Sequence, residues 1–128
     1  MKEKMDKKSI DALATYRLQR SLETMQEAEV LFSNEFYNAV INRLYYACYY
    51  AVTALLLKNG ITAQTHSGTK SMLGLHFVVP GKLSKKIANT YFTLFEKRQS
   101  GDYETVLNLF ETNFIDHNFG HCYDNHCF

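Results

Sequence analysis

Arg43 and Tyr50 stand seven residues apart in a stretch, NAVINRLYYACYYAVTALLLK, that is otherwise mostly apolar. On a helix that spacing is about two turns, so the two side chains share a face. Tyr46, three residues from one and four from the other, completes the strip. A guanidinium can grip a phosphate through paired hydrogen bonds, and a phenol ring can stack a base. Arginine seldom sits among packing residues unless it is paired or binds something. The competing reading is a structural network in which tyrosine hydroxyls and a carboxylate satisfy Arg43. Ala39, Ala47 and Ala54 lie close to the same line and would let a second helix approach closely.

Three further groups carry chemistry. His66 lies in a polar loop, ITAQTHSG. About nine helical residues after Tyr50 would take the chain roughly 13 Å onward, so His66 is expected to cap a helix end or brace the loop. It reaches Arg43 if the loop folds back, or across a dimer. Arg98, Asp102 and Tyr103 straddle a break in the chain. Either Arg98 pairs with Asp102, or Asp102 or Tyr103 reaches Arg43 and completes a polar pocket. The tail DHNFGHCYDNHCF gathers His117, His121, Cys122, His126 and Cys127. Imidazole and thiolate are zinc ligands, and His117 and His121 have helical spacing. The adjacent His-Cys pairs match no finger spacing, however, and no second cluster lies upstream. The expectation is no metal and no cofactor.

Helices must position these residues. Ile10, Leu13, Leu18, Leu22, Met25, Ala28 and Phe32 recur near helical spacing and predict a first helix over 10–32. Ser33-Asn34 is a short break, and the second helix is expected over 35–58, ending at Asn59-Gly60. So short a link makes the pair an antiparallel hairpin. A short helix is expected over 69–78, weakened by Gly74, and Pro80-Gly81 ends it. Ser84 can cap a helix over 85–98, and Asp102 a last one through Val106, Leu107, Phe110 and Phe114. The fold class is all-α: an antiparallel up-and-down helical bundle of four main helices plus one short helix. The expected organisation is a flexible arm at 1–9, a bundle at 10–115 and a divergent tail at 116–128.

Composition agrees. The 128 residues are 46% apolar with one proline and six glycines, enough for one core and poor in turns. The net charge of +1 excludes a uniform polycation, but the charge is unevenly spread. Glu23, Glu27, Glu29 and Glu35 fall in a segment with no base, whereas residues 58–98 hold six lysines and Arg98 against Glu96 alone. That basic segment is either an RNA-binding face or a set of solvated helix faces. The start lacks the apolar core of a secretory signal. The most apolar run, 47–57, is short of the roughly 20 residues of a membrane span. Cys48 reads as a small buried hydrophobe, and the expected location is the cytoplasm, away from membranes.

The run Asn42-Arg43-Leu44-Tyr45-Tyr46-Ala47-Cys48-Tyr49-Tyr50-Ala51 resembles the signature helix of the HEPN domain family, nearest its small prokaryotic branch. Thr65-His66-Ser67-Gly68, His76-Phe77-Val78, Gly81-Lys82-Leu83 and Arg98 with Gly101-Asp102-Tyr103 follow in the family's order. The resemblance implies a helical bundle that forms a homodimer, often encoded beside a small nucleotidyltransferase as a toxin–antitoxin pair. Active relatives are metal-independent RNases built on an arginine followed by four to six residues and a histidine. The cation would stabilise phosphorane charge and the imidazole would move the proton. Here Tyr50 stands where the histidine belongs, after six intervening residues. A tyrosine pKa near 10 is about three units too high for a good base at neutral pH. The expected function is therefore binding of RNA, nucleotide or a nucleotidyltransferase partner, through Arg43, Tyr46, Tyr50, His66, Arg98, Asp102 and Tyr103. The alternative is an RNase that uses Arg43 with Tyr50 or His66.

Overall fold

In the computed structural model the described residues are 5–98, together with Glu104 and Asn108. Four α-helices and a π-helical turn account for nearly all of them: α1 (Lys7–Ser33), α2 (Tyr37–Lys58), α3 (His66–Leu73), the turn Gly74–Val78, and α4 (Lys85–Lys97). No strand occurs among the described residues.

Each helix starts and stops for local reasons. Asp6 caps α1 by accepting the Ser9 amide at 2.7 Å, and that bond holds its carboxyl below the usual range. The helix thus begins at Lys7, inside the segment expected as an arm. At its other end the Asn34 side chain donates to the Val30 carbonyl. Glu35 then takes a left-handed φ of 64°, so it turns the chain rather than opening α2 as expected. α2 closes where the Ile61 amide bonds Leu56 O at 2.9 Å, a reversal that needs the positive φ of Gly60.

The hairpin of α1 and α2 is antiparallel and holds most of the core. α2 buries thirteen of its residues, among them Ile41, Leu44, Tyr45, Cys48, Val52 and Leu55. Each large apolar side chain so buried stabilises the fold by about 1.5–3 kcal/mol. By length and composition α2 could cross a membrane, which the shorter run expected from the sequence did not suggest. Yet 72% of its most apolar stretch is buried inside the protein, as in the core helix of a globular fold. α1 meets it with small residues. Ala14, Ser21 and Ala28 recur every seven positions, joined by Thr24 and Met25, and Ser21 Oγ donates to Ala47 O at 2.6 Å. This corrects the expected stripe, in which Leu22 pointed inward; Leu22 is 46% exposed. Ile10, Leu13, Met25, Ala28 and Phe32 of that stripe do pack inward, while close approach of two helices favours the small side chains of Ala14 and Ser21 beside them. Lys58 pairs with Asp11 at 2.9 Å across the open end of the hairpin.

α3 and α4 cover the other side of α2. Thr65 caps α3 by accepting the Gly68 amide at 2.8 Å, three residues before the expected start at Thr69. A β-carbon at Gly68 would stand 2.9 Å from Thr65 Oγ1, so the tight cap requires glycine. Leu73, Phe77 and Leu83 anchor the connection in the core. Ser84 caps α4 through the Ile87 amide, as expected, and Ala88, Tyr91 and Leu94 face inward. The expected last helix lies outside the described residues except for Glu104 and Asn108, which are helical. Asp102, Tyr103 and the tail from 116 also lie outside them.

Candidate functional site

The tyrosines of α2 form a continuous aromatic arc rather than a strip on one helix face. Tyr46 is its hinge. Its ring lies 5.2 Å from Tyr45 and 6.1 Å from Tyr49. It is 6.2 Å from Tyr50 and 5.8 Å from His66. Tyr45 is fully buried, whereas Tyr46, Tyr49, Tyr50 and His66 are partly exposed. A cation closes each end of the arc.

At the α1–α2 end, the Arg43 guanidinium lies over the Tyr46 ring at 5.5 Å. It donates to the Asn42 side chain at 2.8 Å and stands 3.9 Å from Glu27 of α1. Arg20 of α1 covers Tyr50 at 5.7 Å while pairing with Glu23 at 2.7 Å. Arg43, Tyr46 and Tyr50 do share a face. Carboxylates from the neighbouring helix line its edge, which moderates its pull on phosphate.

At the α3–α4 end the arrangement is tighter. His66 Nδ1 and the Tyr45 hydroxyl are 2.6 Å apart, and the His66 ring stacks on Tyr49 at 4.3 Å and 22°. The Arg98 guanidinium lies over Tyr45 and Phe95, at 5.3 and 4.8 Å. It also makes a long 3.5 Å contact to the Tyr45 hydroxyl. Arginine can only donate, so the Tyr45 oxygen accepts there, and we assign its one proton to the bond with His66 Nδ1. The imidazole is then neutral, with its proton on Nε2. Burial, and secondarily the Arg98 charge, hold the His66 pKa below the ordinary value. Burial likewise raises the Tyr45 phenol.

This geometry corrects the expectation for His66. The loop does fold back, because α3 starts three residues early and its first residue turns onto α2. Thr65 does the capping that was expected of His66. The same ring of Tyr46 touches both Arg43 and His66, so the two are separated by one side chain. Tyr45, the central hydroxyl of the cluster, was missed altogether. Its helical spacing with Tyr49 could have flagged it, since the pair defines a second face of the same helix. Arg98 joins the cluster through Tyr45, while its expected pairing with Asp102 lies outside the described residues. Tyr103 and His117, His121, Cys122, His126 and Cys127 lie outside them too. Among the described residues no three metal-ligating side chains converge. A cavity of about 180 Å³ lined by Leu13, Arg17, Thr53, Leu57 and Thr69 contains none of the arc residues. Cys48, buried behind the arc, has its thiol pushed up by burial and is inert as a nucleophile.

The all-helical bundle and the arginine–tyrosine helix at its centre coincide with a match to the HEPN domain model over residues 14–114. The chain belongs to the HEPN domain family. It is 35% identical over 106 residues to a UPF0332 protein of Thermotoga maritima, covering 83% of this chain and 80% of that protein. Two relatives from Methanocaldococcus jannaschii bear the names "Putative toxin MJ0142" and "Putative toxin MJ0605". The first is 27% identical over 72% of this chain and 63% of its own length. The second is 31% identical over 65% of this chain and 62% of its own length. The HEPN match spans Arg43, Tyr46, Tyr50, His66, Arg98, Asp102 and Tyr103 alike.

Proposed function

We propose that this HEPN protein belongs to a toxin–antitoxin type module and binds single-stranded RNA along the arc from Arg43 to Arg98, without the arginine–histidine cleavage of active relatives. One observation supports this most directly: partly exposed aromatic rings run between the guanidinium groups of Arg43 and Arg98, and Tyr50 stands at the motif position of the histidine. Exposed rings stack bases at about 1–3 kcal/mol each, and flanking cations hold the connecting phosphates. The names of the M. jannaschii relatives support the toxin–antitoxin context. A nucleotidyltransferase partner and a homodimer belong to the same reading and rest on the family resemblance.

A mobility-shift titration with single-stranded RNA tests it. The intact protein retards RNA without shortening it, and Arg98→Ala and Arg43→Ala each weaken binding. RNA that is neither retarded nor cleaved overturns the reading. One observation favours a second reading, an RNase: His66 reaches the same Tyr46 ring as Arg43. Cleavage abolished by both Arg43→Ala and His66→Gln would establish it in place of the first. Co-purification with the product of an adjacent gene, and sedimentation of the purified chain, test the partner and the dimer.

A further inference from the structure

Tyr91 carries the one side-chain polar atom among the described residues that is buried without a hydrogen-bond partner. The residue is fully enclosed, and its ring stacks nearly parallel to Tyr45, with centroids 6.0 Å apart. The two hydroxyls are close enough to influence one another yet do not meet hydrogen-bond geometry. A buried hydroxyl left unpaired is costly, so its persistence beside a fully engaged hydroxyl calls for a role.

Tyr45 supplies that role. Its one proton is assigned to the 2.6 Å bond with His66 Nδ1, while its oxygen accepts from Arg98. Were His66 to take up a proton at Nδ1, both neighbours of the Tyr45 oxygen would become donors. The Tyr45 proton would then need a different acceptor, and the idle oxygen of Tyr91 is adjacent. We propose that His66, Tyr45 and Tyr91 form a proton-linked phosphate site: protonation of His66 swings the Tyr45 hydroxyl from His66 to Tyr91, and the imidazolium joins Arg98 in holding a phosphate group.

The proton balance is simple. One proton is taken from solvent at Nδ1, the Tyr45 O–H bond rotates without breaking, and the site gains one positive charge. The surroundings explain why the empty site stays neutral. His66 faces Tyr45, Tyr46 and Tyr49 of α2, with Arg43 beyond Tyr46. From α4 it meets Arg98, with Tyr91 behind Tyr45. Lys70 follows one turn later on its own helix, and from α1 Arg20 and Glu27 stand beyond Tyr50 and Arg43. The carboxylates in those surroundings, Glu27 and Glu23, are already beside Arg43 and Arg20. An arriving phosphate supplies the missing negative charge, so binding and protonation reinforce each other. The RNA-binding reading enters only as the source of the phosphate; the hydroxyl switch is a property of the free protein.

Two arms test it on the full chain. In the ligand-free protein, NMR titration follows the His66 ring in wild type, Tyr91→Phe and Tyr45→Phe. Tyr91→Phe removes the standby acceptor and lowers the His66 pKa by about half a unit or more. Tyr45→Phe removes the donor to the neutral ring and raises it. Tyr91→Phe keeps the buried ring and discards an unpaired hydroxyl, so it folds. In the second arm, calorimetry with inorganic phosphate, AMP and single-stranded RNA is run in buffers of differing ionisation enthalpy. Uptake of a proton at pH 7.5 and binding about tenfold tighter at pH 6 than at pH 8 are expected. A His66 pKa unmoved by Tyr91→Phe overturns the proposal. Binding without proton uptake also overturns it, and RNA binding along the arc then still stands. Phosphate and AMP binding with proton uptake while RNA fails to bind upholds the site and removes RNA as its source.

Discussion

The two ends of the aromatic arc use the same parts differently. At the α1–α2 end Arg43 and Arg20 cover tyrosines; Glu27 offsets Arg43 from the opposite helix, and Glu23 offsets Arg20 from its own. At the α3–α4 end Arg98 covers Tyr45 and Phe95, no acid opposes it among the described contacts, and an imidazole replaces the carboxylates. The family motif would place the imidazole at the first end. In this chain it stands at the second, supplied by another helix. The lesson is that one tyrosine-rich helix can serve two faces, and that loss of a histidine from a motif does not remove imidazole chemistry from the neighbourhood.

The comparison breaks most easily through its shared support. Tyr45→Ala opens a cavity in the middle of the arc and should cost about 3–5 kcal/mol, read as a lower midpoint in urea denaturation. A loss below 1 kcal/mol would mean that Tyr45 is not the common anchor. Next in size is the difference between the two arginines. Arg98→Ala should weaken RNA binding by about ten- to a hundredfold, and Arg43→Ala less, because Glu27 already offsets Arg43. Equal losses would erase the asymmetry.

The α3 cap comes next. Thr65→Ala should cost about 1 kcal/mol of stability and loosen the stacking of His66 on Tyr49, visible in the His66 ring signals. His66 also sets a pH dependence. Its pKa is lower in the folded chain than in the unfolded one, so the unfolded chain binds more protons as pH falls. The stability that His66 contributes is complete above its unfolded pKa, near 6.5, and is lost as pH falls through the folded value. Thermal melts at pH 7.5 and 5.5 should differ more for wild type than for His66→Gln. The smallest effect is expected for Glu27→Gln. A half-exposed pair 3.9 Å apart is worth within about 0.5 kcal/mol, but freeing Arg43 should raise RNA affinity a few-fold at low salt.

Much of this was legible from sequence because it is local. The Asn-Gly stop after α2, the Ser84 cap and the inward stripe of α4 are written within a few residues each. Arg43, Tyr46 and Tyr50 share a face because helical geometry alone puts them there. What escaped was decided at a distance. Helical rise alone carries His66 past the site, because nothing local says that Thr65 opens a helix that doubles back onto α2. Tyr45 does not stand out from the neighbouring tyrosines in the sequence, since its importance comes from His66 and Arg98, twenty-one and fifty-three residues away. On the inner face of α1 the hydrophobic stripe omits Ala14, Ser21 and Thr24, because alanine, serine and threonine mark close helix contact without being strongly hydrophobic.

That inner face holds a danger of its own. Small residues at 14, 21 and 28 give α1 nearly interchangeable seats at intervals of seven, so a slide by one heptad would leave a plausible interface. Such a slip, about 10.5 Å along the axis, would carry Arg20 and Glu27 away from Tyr50 and Arg43. Ser21 is the one member of the series that is not alanine, and its hydroxyl finds the Ala47 carbonyl only in the native seating. Together with the Lys58–Asp11 pair, that one oxygen atom marks the register of an otherwise repetitive seam, and with it which side chains of α1 the arc meets.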